Sequence, residues 1–307
     1  MYKYKIFIIL LSLLGYTNIT VAAKTPDTGV LILAHGGKHE SWDKAVKHAS
    51  NKVQKDYLVE VAFGMANPVS MQQAINNLEK QGAKKIVVVP LFISSHSPII
   101  RQNEYLLGFR DELADPPMMM HHGHGSDAMT DMEIKPLTIN AKIFLTNALD
   151  SHPLVTNIIY DRIKKLSKKP KNETIIILAH GPNSEADNKN WIKEINSISE
   201  QIREKNNYKQ IFGLTVRDDA NEEVYEQAKE HLRTLVYQAG KSSDVIVVPL
   251  LLSQGGIEQG YVKRLKGLNY KWSGETLLPH KNITKFIQAS VKYALEKESS
   301  NRSVTTR

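Results

Sequence analysis

The sequence predicts an α/β fold built from two similar doubly wound parallel-sheet domains. GVLILAHGG at residues 29–37 recurs as TIIILAHGP at residues 174–182, and each is an apolar run closing on His-Gly, the pattern of a strand buried on both faces. VVVPLF at 87–92 recurs as IVVPLL at 246–251. Between these motifs, apolar runs alternate with helix-period stretches, the order of strand and crossover helix in a parallel sheet. The second copy carries about fourteen more residues between its two motifs than the first, so the repeat is a diverged one.

The first residues stand apart. Lys3 and Lys5 precede an uncharged apolar run from Ile6 to Leu14, and Val21-Ala22-Ala23 supplies small residues before Lys24. Residues 1–23 are therefore expected to be a secretory signal peptide that exports the protein to the periplasm or the medium. The apolar run is short for a bilayer; an uncleaved anchor including Gly15 and Tyr16 is the alternative. No later segment predicts a membrane span. The expected boundaries are a first domain at 24–166, a linker at 167–173, a second domain at 174–297 and a polar tail at 298–307.

In the first domain, Ser41 to Leu58 predicts a helix with Trp42, Ala45, Val46, Ala49, Val53 and Leu58 toward a sheet. Val59 to Met65 is a strand broken by Asn67-Pro68. Ser70 is expected to cap a helix reaching Lys80, with Met71, Ala74, Ile75 and Leu78 as its apolar stripe. Lys85 to Ile93 returns as a buried strand and Pro98 to Gly108 as a helix. Residues 116–133 read as an irregular insertion, Ile134 to Leu137 as a strand, and Asn140 to Leu149 and Leu154 to Leu166 as helices. In the second domain a helix at Trp191 to Lys205 presents Ile192, Ile195, Ile198 and Ile202. A strand at Gln210 to Val216, a helix at Asn221 to Ala239 and a strand at Asp244 to Leu252 follow.

Composition limits the chemistry. The formal net charge is +8 and cysteine is absent, so disulfides and thiolate ligands are excluded. The basic balance favours anionic ligands weakly. No zinc-finger spacing or glycine-rich arginine tract points to nucleic acid. Neither a Walker A run nor GxGxxG points to a nucleotide, and no GxSxG nucleophile elbow supports a hydrolase.

Histidine is what remains. His35 and His180 each follow a buried strand, which places them at the carboxyl edge of a sheet where parallel α/β proteins bind ligands; the alternative is a histidine that only bonds its own loop. Gly36 permits a tight turn and close approach. His96, in ISSHSP, reaches the same edge as His35, and two neutral imidazoles there suit a divalent metal or divide ligation and proton removal between them. The second copy has Gly255 at the place of His96. Glu258 and His280 are that half's further metal candidates, against a helix-start carboxylate and an ordinary surface histidine. His121, His122 and His124, preceded by Met118 to Met120 and followed by Asp127 and Asp131, are either a loose metal-collecting loop or a solvated one.

Taken together, the paired LILAHG-type strands, the VVVPLF and IVVPLL strands, His96 and the stretch VAFGMANPVSMQQAINNLEKQGAKKIVVVPLF at 61–92 resemble the class II tetrapyrrole chelatases. These are the sirohydrochlorin cobalt and iron chelatases of the CbiX, SirB and CbiK kind. GLTVRDDA at 213–220 and VVPLLLSQGGIEQGYVKRLKGL at 247–268 look like the extended two-domain branch. The resemblance implies two domains facing each other across a cleft that holds a macrocycle, with His35 and His96 beside the metal. It further implies an anionic tetrapyrrole and Co2+ or Fe2+ as substrates, met by Gly36, Ser94, Ser95, Arg101 and Lys263, and chelation by a monomer without a nucleotide. Family members tend to carry an acid after the second strand, where this chain has Met65 and Asn67. The alternative function is a noncatalytic haem, tetrapyrrole or divalent-metal-binding protein.

Overall fold

The computed structural model describes residues 27–37, 39–113 and 134–304. Residues 1–23 and His121, His122 and His124, with the export and metal-loop expectations that rest on them, lie outside the described residues.

Two four-stranded parallel sheets form the frame. The first has the order β2-β1-β3-β4, with β1 Thr28–Ala34, β2 Leu58–Phe63, β3 Lys85–Pro90 and β4 Lys142–Leu145. The second repeats it as β6-β5-β7-β8, with β5 Glu173–Ala179, β6 Gln210–Thr215, β7 Asp244–Leu250 and β8 Lys271–Trp272. The repeated proline has a physical place in this frame. Just past edge strand β4, Thr146 donates its N–H to the Val88 carbonyl, and just past β8, Ser273 donates its N–H to the Val247 carbonyl. Pro90 and Pro249 follow two residues on, past the edge strands' ends, where a missing N–H interrupts no pairing.

Helices cover both faces of each sheet. On the outer face of the first lie α2, Pro68–Lys80, and α3, Pro98–Leu106; on that of the second lie α6, Glu222–Gly240, and α7, Ile257–Arg264. Between the sheets sit α1, Glu40–Asn51, and α4, Pro153–Leu166, with α5, Glu185–Arg203, and α8, Lys281–Val304. The inner residues of both sheets and these four helices form one apolar cluster, from Val30, Ile32 and Val46 to Ile175, Ile198 and Phe286. The outer faces have separate clusters, around Leu31, Ile75 and Val88 and around Ile176, Leu232 and Tyr261. β1 and β5 are buried along their whole length, as strands covered on both faces must be.

Local chemistry moves several expected boundaries. Asn67 caps α2, its Oδ1 accepting the Val69 and Ser70 N–H groups at 2.9 and 3.1 Å, while Ser70 donates to the Phe63 carbonyl. Residues 134–140 are not a strand, and the helix expected at 140–149 is replaced by β4. Gln72, Glu79 and Tyr105 side chains bond the chain at Ile134, Thr138, Asn140 and Ala141 and lead it in extended form to the sheet edge. The linker tightens into one 3-10 turn, Pro170–Asn172, with β5 opening at Glu173. Residues 298–304 of the expected polar tail belong to α8. Glu298 is buried and its carboxylate bridges Lys85 and Lys142 of the first domain at 2.8 and 2.9 Å, which carries the helix past residue 297.

Among the described residues, no helix is long and apolar enough to cross a membrane.

Candidate active site

His35 and His180 occupy the same position in their sheets. Each follows the last residue of the central strand, and each holds Nδ1 2.8 Å from the carbonyl oxygen of the glycine after it. A carbonyl only accepts, so Nδ1 carries the proton and Nε2 is the nitrogen left for a ligand. Both turns need a backbone that glycine adopts freely, with φ of 80° at Gly36 and 76° at Gly181. His35 is exposed at its sheet edge, and His180 is partly covered.

The loop after β3 brings His96 to the carboxyl edge of the same sheet, and that loop is bonded on every side. Ser94 is buried and its Oγ accepts the His96 N–H at 3.1 Å. Ser95 donates its N–H and its hydroxyl to the two carboxylate oxygens of Asp150 at 2.6 and 2.7 Å, and its Oγ accepts the Ala148 N–H. Ser94 and Ser95, expected to meet a macrocycle, are committed to shaping the loop. Asp150 itself sits at φ 42°. Burial pushes its carboxyl above the ordinary range, the Ser95 hydrogen bonds oppose this, Glu194 adds to it and His96 counters it.

The second domain closes on this loop. Trp191 of α5 donates its indole N–H to the His96 carbonyl at 2.7 Å. Glu194 accepts from the Ser151 N–H and hydroxyl, and Gln201 donates to the Ser151 carbonyl. Arg101, expected as a contact for an anionic ligand, gives both guanidinium nitrogens to Asp187 of α5, each at 2.9 Å. Its charge is thereby paired between the domains.

The second mouth has different donors. His180 Nε2 faces Asp219 Oδ2 at 3.4 Å. With Nδ1 already protonated, a lone pair and a carboxylate face each other unless a proton or a cation lies between. Asp219 follows β6, so the acid missing after β2 is present in the second copy. At the place of His96 stands Gly255, and a side chain there would meet Trp42 of α1 at 3.2 Å. Glu258 is not an open ligand: its carboxylate accepts the Gly255 and Gly256 N–H groups at the start of α7. Lys263 is exposed on α7. Below, Arg264 is buried, donating to the Val216 carbonyl and to Asp218 and lying 3.9 Å over the Tyr225 ring.

His280 is placed away from either pair. It caps α8 by accepting the Asn282 N–H at Nδ1, with Nε2 toward Asp161 at 3.3 Å. His152 does the same for α4, accepting the Leu154 N–H at 3.1 Å. These are equivalent positions in the two copies, so the assignment of His280 as a ligand gives way to a structural one. Among the described residues, no group of three or more histidine or acidic side chains is gathered to hold a metal.

Asp150, Trp191 and Asp219 were not singled out from the sequence. Asp219 has a signal, an acid just after a strand in GLTVRDDA; Asp150 and Trp191 act through contacts made 55 and 95 residues away.

Residues 29–166 match the CbiX family model. A sirohydrochlorin cobaltochelatase of Saccharolobus islandicus is 38% identical over 81 residues, which are 26% of this chain and 63% of that protein. The matched segment thus spans less than two thirds of that relative. The sirohydrochlorin cobaltochelatase of Methanothermobacter thermautotrophicus is 26% identical over 141 residues, 45% of this chain and 92% of the relative. In fold, the chain is similar to SirB from Bacillus subtilis with Fe3+, with TM-score 0.61 and 17% identity over 89% of this chain and 97% of that one. It is also similar to DR2241 from Deinococcus radiodurans, a multi-domain protein with structural similarity to chelatases, with TM-score 0.52 and 13% identity over 86% of this chain and 54% of that one. The first domain is thus similar to CbiX over residues 29–166, and the paired parallel sheets are similar in fold to SirB.

Proposed function

We propose that the protein is a sirohydrochlorin-type tetrapyrrole chelatase that inserts Co2+ or Fe2+ without a nucleotide. In this reading it works as an exported monomer after removal of residues 1–23. The observation that carries the proposal is the first mouth: His35 and His96 at the carboxyl edge of adjacent strands β1 and β3, within the domain matched by the CbiX model. The cobaltochelatase relatives and the SirB structures with Fe3+ and with cobalt support cobalt or iron as the metal handled.

The chain's own contribution is positioning and proton removal. His35, with Nδ1–H fixed on the Gly36 carbonyl, offers Nε2 to the incoming metal. His96, held by its backbone, is the second imidazole, free to ligate or to take a pyrrole proton as the metal enters the ring. Lys263 supplies positive charge on α7 for the substrate's carboxylates. Arg101 has a partner already and is left out of that role.

Asn67, occupied as a helix cap, stands after β2 where the second copy has Asp219 after β6, and this favours the noncatalytic binding reading as the second one. Anaerobic absorbance separates the two. The chain from Lys24 onward, mixed with sirohydrochlorin and Co2+ or Fe2+, is expected to convert the spectrum faster than the uncatalysed reaction, and His35→Ala with His96→Ala to abolish the gain. Binding without acceleration would overturn the chelatase reading in favour of a carrier.

A further inference from the structure

The first helix of each copy, α1 and α5, places a tryptophan against the third-strand loop of the opposite domain. Trp42, Val46, Ala49 and Val53 of the first copy and Trp191, Ile195, Ile198 and Ile202 of the second share one spacing and one apolar cluster, in which Trp42 is buried and Trp191 partly covered. Ser50 and Ser199 confirm the register, each returning its hydroxyl 2.9 Å to the carbonyl four residues back. Trp42 lies against Gly255, and Trp191 lies against its counterpart, His96. The reciprocal contact therefore falls on a metal-capable side chain in one direction only.

At His96 the backbone is fixed at both ends of the residue. Its N–H goes to Ser94 Oγ, its carbonyl accepts the Trp191 indole N–H at 2.7 Å, and the preceding Ser95 is clamped by Asp150. Of these bonds, the one from Trp191 comes from the second domain. We infer that Trp191 is a positioning residue for His96, through which the second domain sets the imidazole against His35. This rests on the reading of His35 and His96 as the metal-handling pair, and it gives the second domain a part in the first domain's site without a ligand of its own. A backbone bond acts on the ring by fixing the loop's φ and ψ, and outer contacts of this kind are worth about 10–100-fold in metal affinity or activity.

The test uses the whole chain from Lys24 onward, with Trp191→Phe and with Trp191 replaced by 3-benzothienylalanine, which keeps the bicyclic shape and lacks only the N–H. Trp272→Phe, against Tyr261 in the same domain, is the control. Both changes at 191 are expected to shift or broaden the His96 imidazole resonances while those of His35 and His280 stay in place. They should also weaken binding of Co2+ added alone by about tenfold, and Trp272→Phe should do neither. His96 resonances unmoved by the isosteric replacement would overturn the inference, whatever the activity. If the intact protein fails to accelerate metal insertion but the His96 resonances move, the chelatase reading falls and the positioning role stands.

Discussion

Arg101 of α3 and Asp187 of α5 join the two domains by a two-pronged ion pair, with both guanidinium nitrogens 2.9 Å from a carboxylate oxygen. Asp187 is almost fully covered, and its hydrogen bonds hold the Arg101 guanidinium above its ordinary pKa. Asp187→Ala leaves a partly buried cation without its partner and is expected to lower stability by about 2 kcal/mol, toward the low end for a broken buried pair because Arg101 keeps some access to water. A lower urea midpoint with an unchanged slope would verify it. Arg101→Lys, which lacks the planar fork, should recover only part of the loss.

The two His-Gly turns should respond differently to the same change. Both glycines have positive φ, but a side chain at Gly36 finds Phe63 no closer than 3.5 Å, whereas at Gly181 it meets Thr215 at 2.5 Å. Gly36→Ala carries the backbone strain alone, about 1 kcal/mol. Gly181→Ala adds the collision and should lose about 3 kcal/mol. Thermal melts of the two variants, run side by side, measure the difference.

His152 and His280 predict a shared acid sensitivity. Burial holds both below the ordinary value of 6.5, aided at His280 by Arg162 and opposed there by Asp161. Each must be neutral at Nδ1 to accept its helix N–H. A folded-state pKa below the unfolded one means that the stabilisation is complete above about 6.5 and is lost as pH falls through the lowered folded values. Replacing both by Asn keeps a capping oxygen without a titrating ring. The double variant should flatten the melting temperature between pH 7 and 5 relative to the parent.

Glu298 fastens the last helix to the first sheet. Its carboxylate is 5% exposed and touches Lys85 and Lys142. Glu298→Gln should lose about 2 kcal/mol, less than a fully buried pair because both lysines remain partly in water. A chain ending at residue 297 should lose at least as much. Hydrogen exchange at Ile86 and Ile143 would rise first in both, since these residues neighbour the anchored lysines on β3 and β4.

The frame was legible because its signal is local. Apolar runs ending in His-Gly, the paired proline strands and the helix stripes at Met71–Leu78 and Ile195–Ile202 each lie within one element. β4 was misread as helix because four residues at a sheet edge carry little periodicity, and its place is set by side chains of α2. Glu298 looked like part of a solvated tail because its two partners lie 213 and 156 residues away. The histidines at the sheet mouths could be named from their strands, but no local pattern distinguishes His280, which caps a helix, from His35, which faces solvent. Arg101 illustrates the same limit. A cation near a sheet mouth suits an anionic ligand until an aspartate from the other half is found on it.

The single apolar cluster between the sheets has a consequence for how such a duplicated chain can diverge. Outer helices α2 and α6 cover clusters of their own, so each copy can change there without regard to the other, whereas α3 is tied to the second domain through Arg101. The four inner helices have no such freedom. A chain cut at the 3-10 turn would leave either half with the equivalent of a peeled core, and the halves should refold only when mixed. In this chain neither copy can be lost without exposing the inner face of the other, and differences such as His96 against Gly255 accumulate within one folding unit.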